Sequence, residues 1–286
     1  MKHKINTVAV VGAGTMGQGI AVSCALAGYK ALMFDIQPDY CLKGLEAARK
    51  AIDQLIAKEK ISNEEGDAAK SRLKLINELT DLKADLVIEA VVEKMDVKQS
   101  LFLELERNNQ EHTILTTNTS SLSVDKIAGV LNNKSRLAGL HFFNPAHLMK
   151  LVEVISGTHT HSQVVDELKN FVASLNKVAV VAKDSPGFIV NRVARPYYAE
   201  ALNLLEEQAA DVASIDLLLK SAGFKMGPFE LMDLIGIDVN YAVTTSVYEG
   251  LNRPAKFKPS DTQRRKIEEG YLGRKTGKGF YEYQKK

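Results

Sequence analysis

The sequence has little of what marks several common functional classes. Its two cysteines, Cys24 and Cys41, lie seventeen residues apart without ligand-like spacing. They exclude a disulfide framework or a thiolate metal centre and suit a reducing compartment, as buried or incidental thiols. The charges nearly cancel, at +2 overall, so no strong field points to nucleic acid or a membrane surface. No apolar run reaches the length of a membrane helix. The opening "MKHKINTVAVVGAG" is basic, but its apolar part is short and glycine-broken, which reads as a strand and not a secretory signal. Internal repeats, low-complexity segments and metal-ligand spacings are missing too. These absences lead to the expectation of a soluble, cytoplasmic protein without a nucleic-acid, membrane or metal partner. The 286 residues suffice for two domains.

What is there is a regular alternation. Short β-rich runs are expected at Asn6–Val11, Ala31–Asp35, Leu86–Val91, Thr113–Thr117, Leu137–Phe142 and Val178–Lys183. Helical patterns lie between the earlier ones, at Gly17–Ala27, Leu42–Lys58, Asp96–Asn108 and Val124–Leu131. Strands that are apolar throughout and alternate with helices imply an α/β domain of Rossmann type, its mostly parallel sheet covered on both faces. From Pro186 onward the patterns are mostly helical: Val193–Glu207, Ser214–Ser221, Phe229–Leu234 and Ser260–Glu269. Pro196 should kink or offset the first of these, and Ser260 with Gln263 fits a capping box. The expected boundary falls at Lys183–Phe188, "KDSPGF", giving an α/β domain over 1–185 and a smaller all-α domain over 186–286.

Within "VAVVGAGTMGQGIA", Gly12, Gly14 and Gly17 form a G-x-G-x-x-G pattern after a strand and ahead of a helix. The first glycine permits the turn, the second lets a pyrophosphate approach the backbone, and the third allows close helix–strand packing. The helix start offers free amides to the phosphates. Asp35 ends the second strand eighteen residues past Gly17, where an acid would bond the adenosine ribose hydroxyls. A carboxylate there repels a 2′-phosphate, and "IQPDY" supplies no arginine to hold one, so NAD is favoured over NADP.

In an open parallel sheet, ligands bind beyond the carboxyl ends of the strands. Glu93 and Lys94 lie at one such end and Asn118, Thr119, Ser120 and Ser121 at another. Asn118–Ser121 also suits a helix cap, and Glu93 with Lys94 also reads as a solvated helix start.

"LAGLHFFNPAHLMKLVEV" places two ionisable residues, His141 and Glu153, in apolar runs on either side of a turn-like NPAH. If the turn centres near His147, the two face each other across an antiparallel pair. A carboxylate on one imidazole nitrogen fixes the tautomer and leaves the other nitrogen for proton transfer, as a dehydrogenase base requires. A structural His–Glu bond inside a hairpin is the alternative. His3, His112, His147, His159 and His161 read as surface or loop histidines.

With "GAGTMGQGIA", "NTSSL", "HFFNP", "LVEV", "DSPGFIVNR", "GPFELMDLIG" and "GRKTGKGFYEY" in this order, the sequence resembles the 3-hydroxyacyl-CoA dehydrogenases over essentially its whole length. The resemblance implies that His141 is the catalytic base, Glu153 its orienting carboxylate, and Ser120 and Asn191 substrate contacts. It implies NAD contacts at Gly12, Gly14, Gly17, Asp35, Glu93, Lys94 and Asn118. It further implies an acyl-CoA substrate, a helical C-terminal domain for substrate and dimerisation, and a stand-alone form akin to 3-hydroxybutyryl-CoA dehydrogenases. CoA would be drawn to a basic helix carrying Lys43, Arg49, Lys50 and Lys58, charges that equally suit a solvated face. Two rivals stay open: a same-fold dehydrogenase of a sugar acid such as gulonate, and a non-catalytic NAD-binding protein of the crystallin kind.

Overall fold

The computed structural model describes residues 5–284, so His3 lies outside the described residues. The chain divides into two compact units, 1–185 and 186–286.

The first unit is built on an eight-stranded sheet. In chain order its strands are β1 (Thr7–Val11), β2 (Lys30–Phe34), β3 (Leu73–Leu75), β4 (Leu86–Glu89), β5 (Ile114–Thr117), β6 (Leu137–Phe142), β7 (Leu151–Ser156) and β8 (Val178–Lys183). Their spatial order is β3-β2-β1-β4-β5-β6-β7-β8. The first six are parallel, β7 runs antiparallel to β6, and β8 runs parallel to β7. This is the doubly wound Rossmann order, extended by two reversed strands, with its switch point between β1 and β4. The interior strands are apolar because both of their faces are covered: Val8–Val11, Leu86–Ile88 and Leu137–Leu140 are all buried. Helices α1 (Thr15–Leu26), α2 (Pro38–Ala57), α3 (Asn63–Arg72), α4 (Met95–Asn108), α5 (Val124–Ala128) and α6 (Ser162–Ser174) fill the crossovers.

Three elements of this unit go beyond the sequence reading. Strand β3 is three residues long and α3 carries no apolar stripe, so neither has a periodicity to detect. The signal for α3 was its cap: Ser62 Oγ accepts from the Glu65 amide and Glu65 accepts from the Ser62 amide, at 3.1 and 2.8 Å. Helix α6 does show its stripe, with Leu168, Phe171 and Val172 buried. Strand β4 stops at Glu89, two residues before the expected end, because the Glu89 side chain takes the amide of Val91 at 2.8 Å.

The second unit is helical: α7 (Val190–Glu206), α8 (Val212–Ser221), α9 (Pro228–Ile235), α10 (Ile237–Gly250) and α11 (Asp261–Glu268). Helix α7 is continuous through Pro196. Its core joins Tyr198, Leu202, Ile215, Phe229 and Met232. Two buried aspartates tie the chain end to it. Asp233 accepts from the amides of Phe280 and Tyr281 and from the Tyr283 hydroxyl, and Asp216 accepts from the amides of Phe229 and Glu230 and from the Tyr281 hydroxyl. The capping box expected at Ser260 forms only in half. Ser260 caps α11, but the Gln263 side chain turns into the core and donates to Met232 Sδ and Asn240 Oδ1. Among the described residues no helix is long and apolar enough to cross a membrane.

Candidate active site

The loop after β1 is shaped by its glycines. Gly12 has φ +105°, and a Cβ there would meet the carbonyl oxygen of Ala90, beyond β4, at 2.5 Å. The backbone therefore crosses the switch point between β1 and β4 where no side chain fits. A Cβ on Gly17 would overlap the carbonyl of Gly12, so α1 sits hard against the loop. Gly14 differs: nothing lies within 4 Å of its Cβ position, and as the N-cap of α1 it makes no side-chain cap bond. The loop thus presents open space and the amides of a helix start, a cradle that fits a dinucleotide pyrophosphate. Asp35, just past β2, braces this loop. Its Oδ2 accepts from the amide of Ala13 at 2.8 Å and its Oδ1 from that of Gln37 at 3.1 Å. A carboxylate has about four acceptor positions, so capacity remains for ribose hydroxyls.

At the ends of β4 and β5 the structure shows a charged cluster that sequence reasoning missed. Glu89 and Lys98 are 0 % and 1 % exposed and bond at 2.5 Å. Glu89 also accepts from Thr117 Oγ1 at 2.6 Å. Lys98 reaches a second carboxylate, Glu93, at 3.3 Å. Through Oε1, Glu93 accepts from Thr119 Oγ1 (2.6 Å), from the amide and hydroxyl of Ser120 (2.9 and 3.3 Å) and from those of Ser121 (3.1 and 3.2 Å). Burial works against charge on Glu93, yet the Lys98 ammonium and the Thr119 and Ser120 donors hold its carboxyl below the usual carboxylate range. The sequence signal was a lone Glu in the apolar run "LVIEA", the same kind of signal that exposed His141 and Glu153. Lys94 is the exposed N-cap of α4, without a side-chain cap bond.

His141 and Glu153 are registered partners across β6 and β7. Nδ1 of the imidazole lies 2.8 Å from Oε2 of the carboxylate, and the two residues are 5 % and 0 % exposed. The His141 ring packs against Phe143, with centroids 4.5 Å apart. Asn118 joins this region to β5: its Oδ1 accepts from the amide of Phe142 at 2.8 Å, and its own amide donates to the Glu89 carbonyl at 2.8 Å. The Asn118 side chain thereby ties the end of β5 to the backbone beside His141.

The first unit thus gathers His141 and Glu153 in one place, and Glu93 and Ser120 in another. Asn191 belongs to the second unit, as the second residue of α7, and its carbonyl accepts from Arg195 Nε at 3.0 Å. The three basic residues of α2, Lys43, Arg49 and Lys50, and its C-cap residue Lys58 are exposed. Among the other histidines, His112 and His159 are exposed, and His147 is half-buried, with burial and then the Lys177 charge lowering its pKa. His161 caps α6 by accepting from the Gln163 amide.

Residues 7–185 match the model of the NAD-binding domain of 3-hydroxyacyl-CoA dehydrogenase, and residues 187–283 match that of its C-terminal domain. A relative from Escherichia coli strain K12, called 3-hydroxyadipyl-CoA dehydrogenase, is 44% identical over 99% of this chain, which spans 60% of that relative's length. A 3-hydroxybutyryl-CoA dehydrogenase from Bradyrhizobium diazoefficiens is 38% identical over 99% of this chain and 97% of its own. The crystal structure of (S)-3-hydroxybutyryl-CoA dehydrogenase from Ralstonia eutropha superposes with a TM-score of 0.94 at 38% identity, covering 99% of this chain and all of that one.

Proposed function

Because the chain belongs to the 3-hydroxyacyl-CoA dehydrogenase family, we propose that it carries out NAD-dependent, reversible oxidation of an L-3-hydroxyacyl-CoA to the 3-ketoacyl-CoA, with the short-chain 3-hydroxybutyryl-CoA as substrate. The observation that carries the reading is the buried bond between His141 Nδ1 and Glu153 Oε2. Residues 1–185 would bind the cofactor, and residues 186–286 would serve substrate binding and dimerisation.

The residues divide the work as follows. Gly12, Gly14 and Gly17 with the start of α1 would receive the pyrophosphate and Asp35 the adenosine ribose, while Glu93, Lys94 and Asn118 would bear on the nicotinamide half. Bound NAD supplies the acceptor for the hydride that leaves C3. His141, held through Nδ1, would take the C3 hydroxyl proton on Nε2 as that hydride departs, and would return it in the reductive direction. Glu153 stabilises the imidazolium so formed and fixes its orientation. Ser120 and Asn191 would hold the substrate's reacting end by hydrogen bonds to its oxygens.

The protein would work as a homodimer through its second unit. Supporting this, Val193, Leu217, Leu218 and Phe224 of that unit leave large apolar side chains more than half exposed. It would act in the cytoplasm, a compartment that suits the two buried free thiols, Cys24 and Cys41. The test of function is NADH oxidation with acetoacetyl-CoA and with longer 3-ketoacyl-CoAs. Saturable turnover of acetoacetyl-CoA is expected. Turnover of a free hydroxy acid such as gulonate in preference to the thioesters would overturn the reading.

A further inference from the structure

The second unit buries a cation without a counter-charge. Arg195 of α7 is 3 % exposed, and no carboxylate among the described residues pairs with it. Arg136, the buried arginine of the first unit, by contrast has Glu106 at 3.7 Å. Charges taken out of water are ordinarily paired, because an uncompensated one gives up its hydration without replacement. Burial pushes the Arg195 pKa down to about 10, opposed by the Tyr198 phenol, so the group is still a full cation at neutral pH.

The neighbours of the guanidinium fix it without neutralising it. Nε donates to the Asn191 carbonyl, and Nη1 donates to the Asn240 carbonyl and to Thr244 Oγ1, each at 3.0 Å. Cζ stands 4.8 Å from the centre of the Tyr198 ring. These bonds leave the two N–H donors of Nη2 unused among the described residues. A second donor is left over in the same cluster. Asn240 is 1 % exposed; its Oδ1 accepts from Gln263 Nε2 at 3.0 Å, and its Nδ2 is buried without a partner. Turning the amide over would set Nδ2 against the Gln263 donor, so the orphan in this arrangement is a donor. A fixed, buried, cationic set of donors matches an anion with oxygen acceptors, and a carboxylate is the natural complement of a guanidinium.

The position of the cluster says where such a carboxylate comes from. Asn191, the proposed contact to the reacting end of the substrate, precedes Arg195 by four residues on α7. The two stand on one face of the helix, one turn or about 5.4 Å apart. Three or four carbon–carbon bonds of about 1.5 Å, in an extended chain, cover a similar distance of roughly 4–5 Å. We propose that Arg195, with Asn240 beside it, is a specificity-determining residue that binds a carboxylate at the far end of the acyl chain. The protein then accepts 3-hydroxyacyl-CoA esters of six- or seven-carbon dicarboxylic acids as well as the short uncharged ester. This inference rests on the functional reading above in placing the acyl chain at Asn191.

The test compares two six-carbon thioesters that differ only at the far end. 3-Oxoadipyl-CoA carries a carboxylate there and 3-ketohexanoyl-CoA a methyl group. kcat/KM for NADH oxidation is measured with each on the full-length wild type, Arg195→Met and Arg195→Lys. The wild type should favour 3-oxoadipyl-CoA by at least about tenfold. In Arg195→Met the ratio should fall to about one or below, chiefly through a raised KM for 3-oxoadipyl-CoA. Arg195→Lys keeps the charge but not the planar fork, so it should retain part of the preference. A purely structural arginine would lower both activities together and leave the ratio where it was. Thermal shift with each thioester, without NADH, repeats the comparison independently of turnover.

A wild-type ratio at or near one overturns the proposal, and that result does not depend on whether Arg195→Met folds. An unchanged ratio in Arg195→Met, or in Arg195→Lys should the methionine variant not fold, overturns it too. Loss of the dimer mass in Arg195→Met, with no preference in the wild type, would assign the counter-charge to a second copy of the chain and would equally overturn it. A wild type that turns over neither acetoacetyl-CoA nor the six-carbon thioesters would instead count against the functional reading. Thermal shift then decides on Arg195: a larger rise with 3-oxoadipyl-CoA that Arg195→Met loses sustains the site, and equal rises or none overturn it.

Discussion

The imidazole of His141 and the carboxylate of Glu153 are held at 2.8 Å by the pairing of β6 with β7. Their registered positions set the approach, and burial of both residues keeps water from competing for the bond. Glu153→Gln tests the charge separately from the contact. An amide oxygen can still accept from Nδ1–H, so the ring's orientation survives while the anion is lost. Turnover in both directions should fall by at least about tenfold, because a neutral amide stabilises the imidazolium poorly. Wild-type kcat in this variant would reduce Glu153 to a structural role.

Cofactor preference follows from Asp35. NADH should be used in preference to NADPH by at least about tenfold, equivalent to ~1.4 kcal/mol. Replacing Asp35 by Ser and Ile36 by Arg should move the preference toward NADPH. Because Asp35 also accepts from the Ala13 amide, the same variant should bind NADH more weakly. Equal kinetic efficiency of the wild type with both cofactors would contradict the assignment.

Assembly should depend on the second unit. Light scattering at micromolar concentration should give the mass of a dimer. Leu217→Glu/Leu218→Glu should shift the mass toward monomer, since both side chains are largely exposed on α8. A fragment ending at Asp184 should bind NADH and fail to turn over, having lost Asn191. A wild-type monomer mass would argue against the proposed dimer.

Acid should weaken the loop after β5. The carboxyl of Glu93 is held below its ordinary value of 4.5 in the folded protein. The folded state therefore binds this proton less readily than the unfolded chain. The stability contributed by the charged form is complete above about pH 4.5 and is lost as pH falls through the folded value. The Tm difference between wild type and Glu93→Gln should accordingly be largest near neutral pH and shrink below pH 4.5. A difference constant from pH 7 to 3 would show that Glu93 ionisation does not stabilise the fold.

Much of this was legible in the sequence where a pattern had a physical cause. The alternation of apolar strands and helices set the sheet, and the glycine spacing located the loop at the switch point. The symmetry of His141 and Glu153 about His147 anticipated their register, because antiparallel pairing converts equal offsets from a turn into opposition. The Glu89–Lys98–Glu93 cluster was not seen, since Glu89 and Lys98 come from different elements nine residues apart with no periodic relation. Thr119 read as a ligand-side or cap residue at a strand end; it is fully buried, takes the Leu122 amide as a cap would, and also bonds Glu93, a contact that the local pattern does not report. Gln263 satisfied the spacing of a capping box, but the polar interior around Asn240 claimed its side chain. Local rules place a residue on an element; they do not report what the rest of the chain brings to meet it.

The central claim is that His141 moves the proton of the reaction. The most direct measurement is steady-state NADH oxidation with acetoacetyl-CoA by His141→Gln beside the wild type, with NADH binding measured on both. Glutamine keeps a polar side chain of similar size but cannot carry the proton. The expected result is a fall in kcat of ~10²–10⁴-fold with NADH affinity nearly unchanged. A variant that turns over within a few-fold of the wild type would contradict the account.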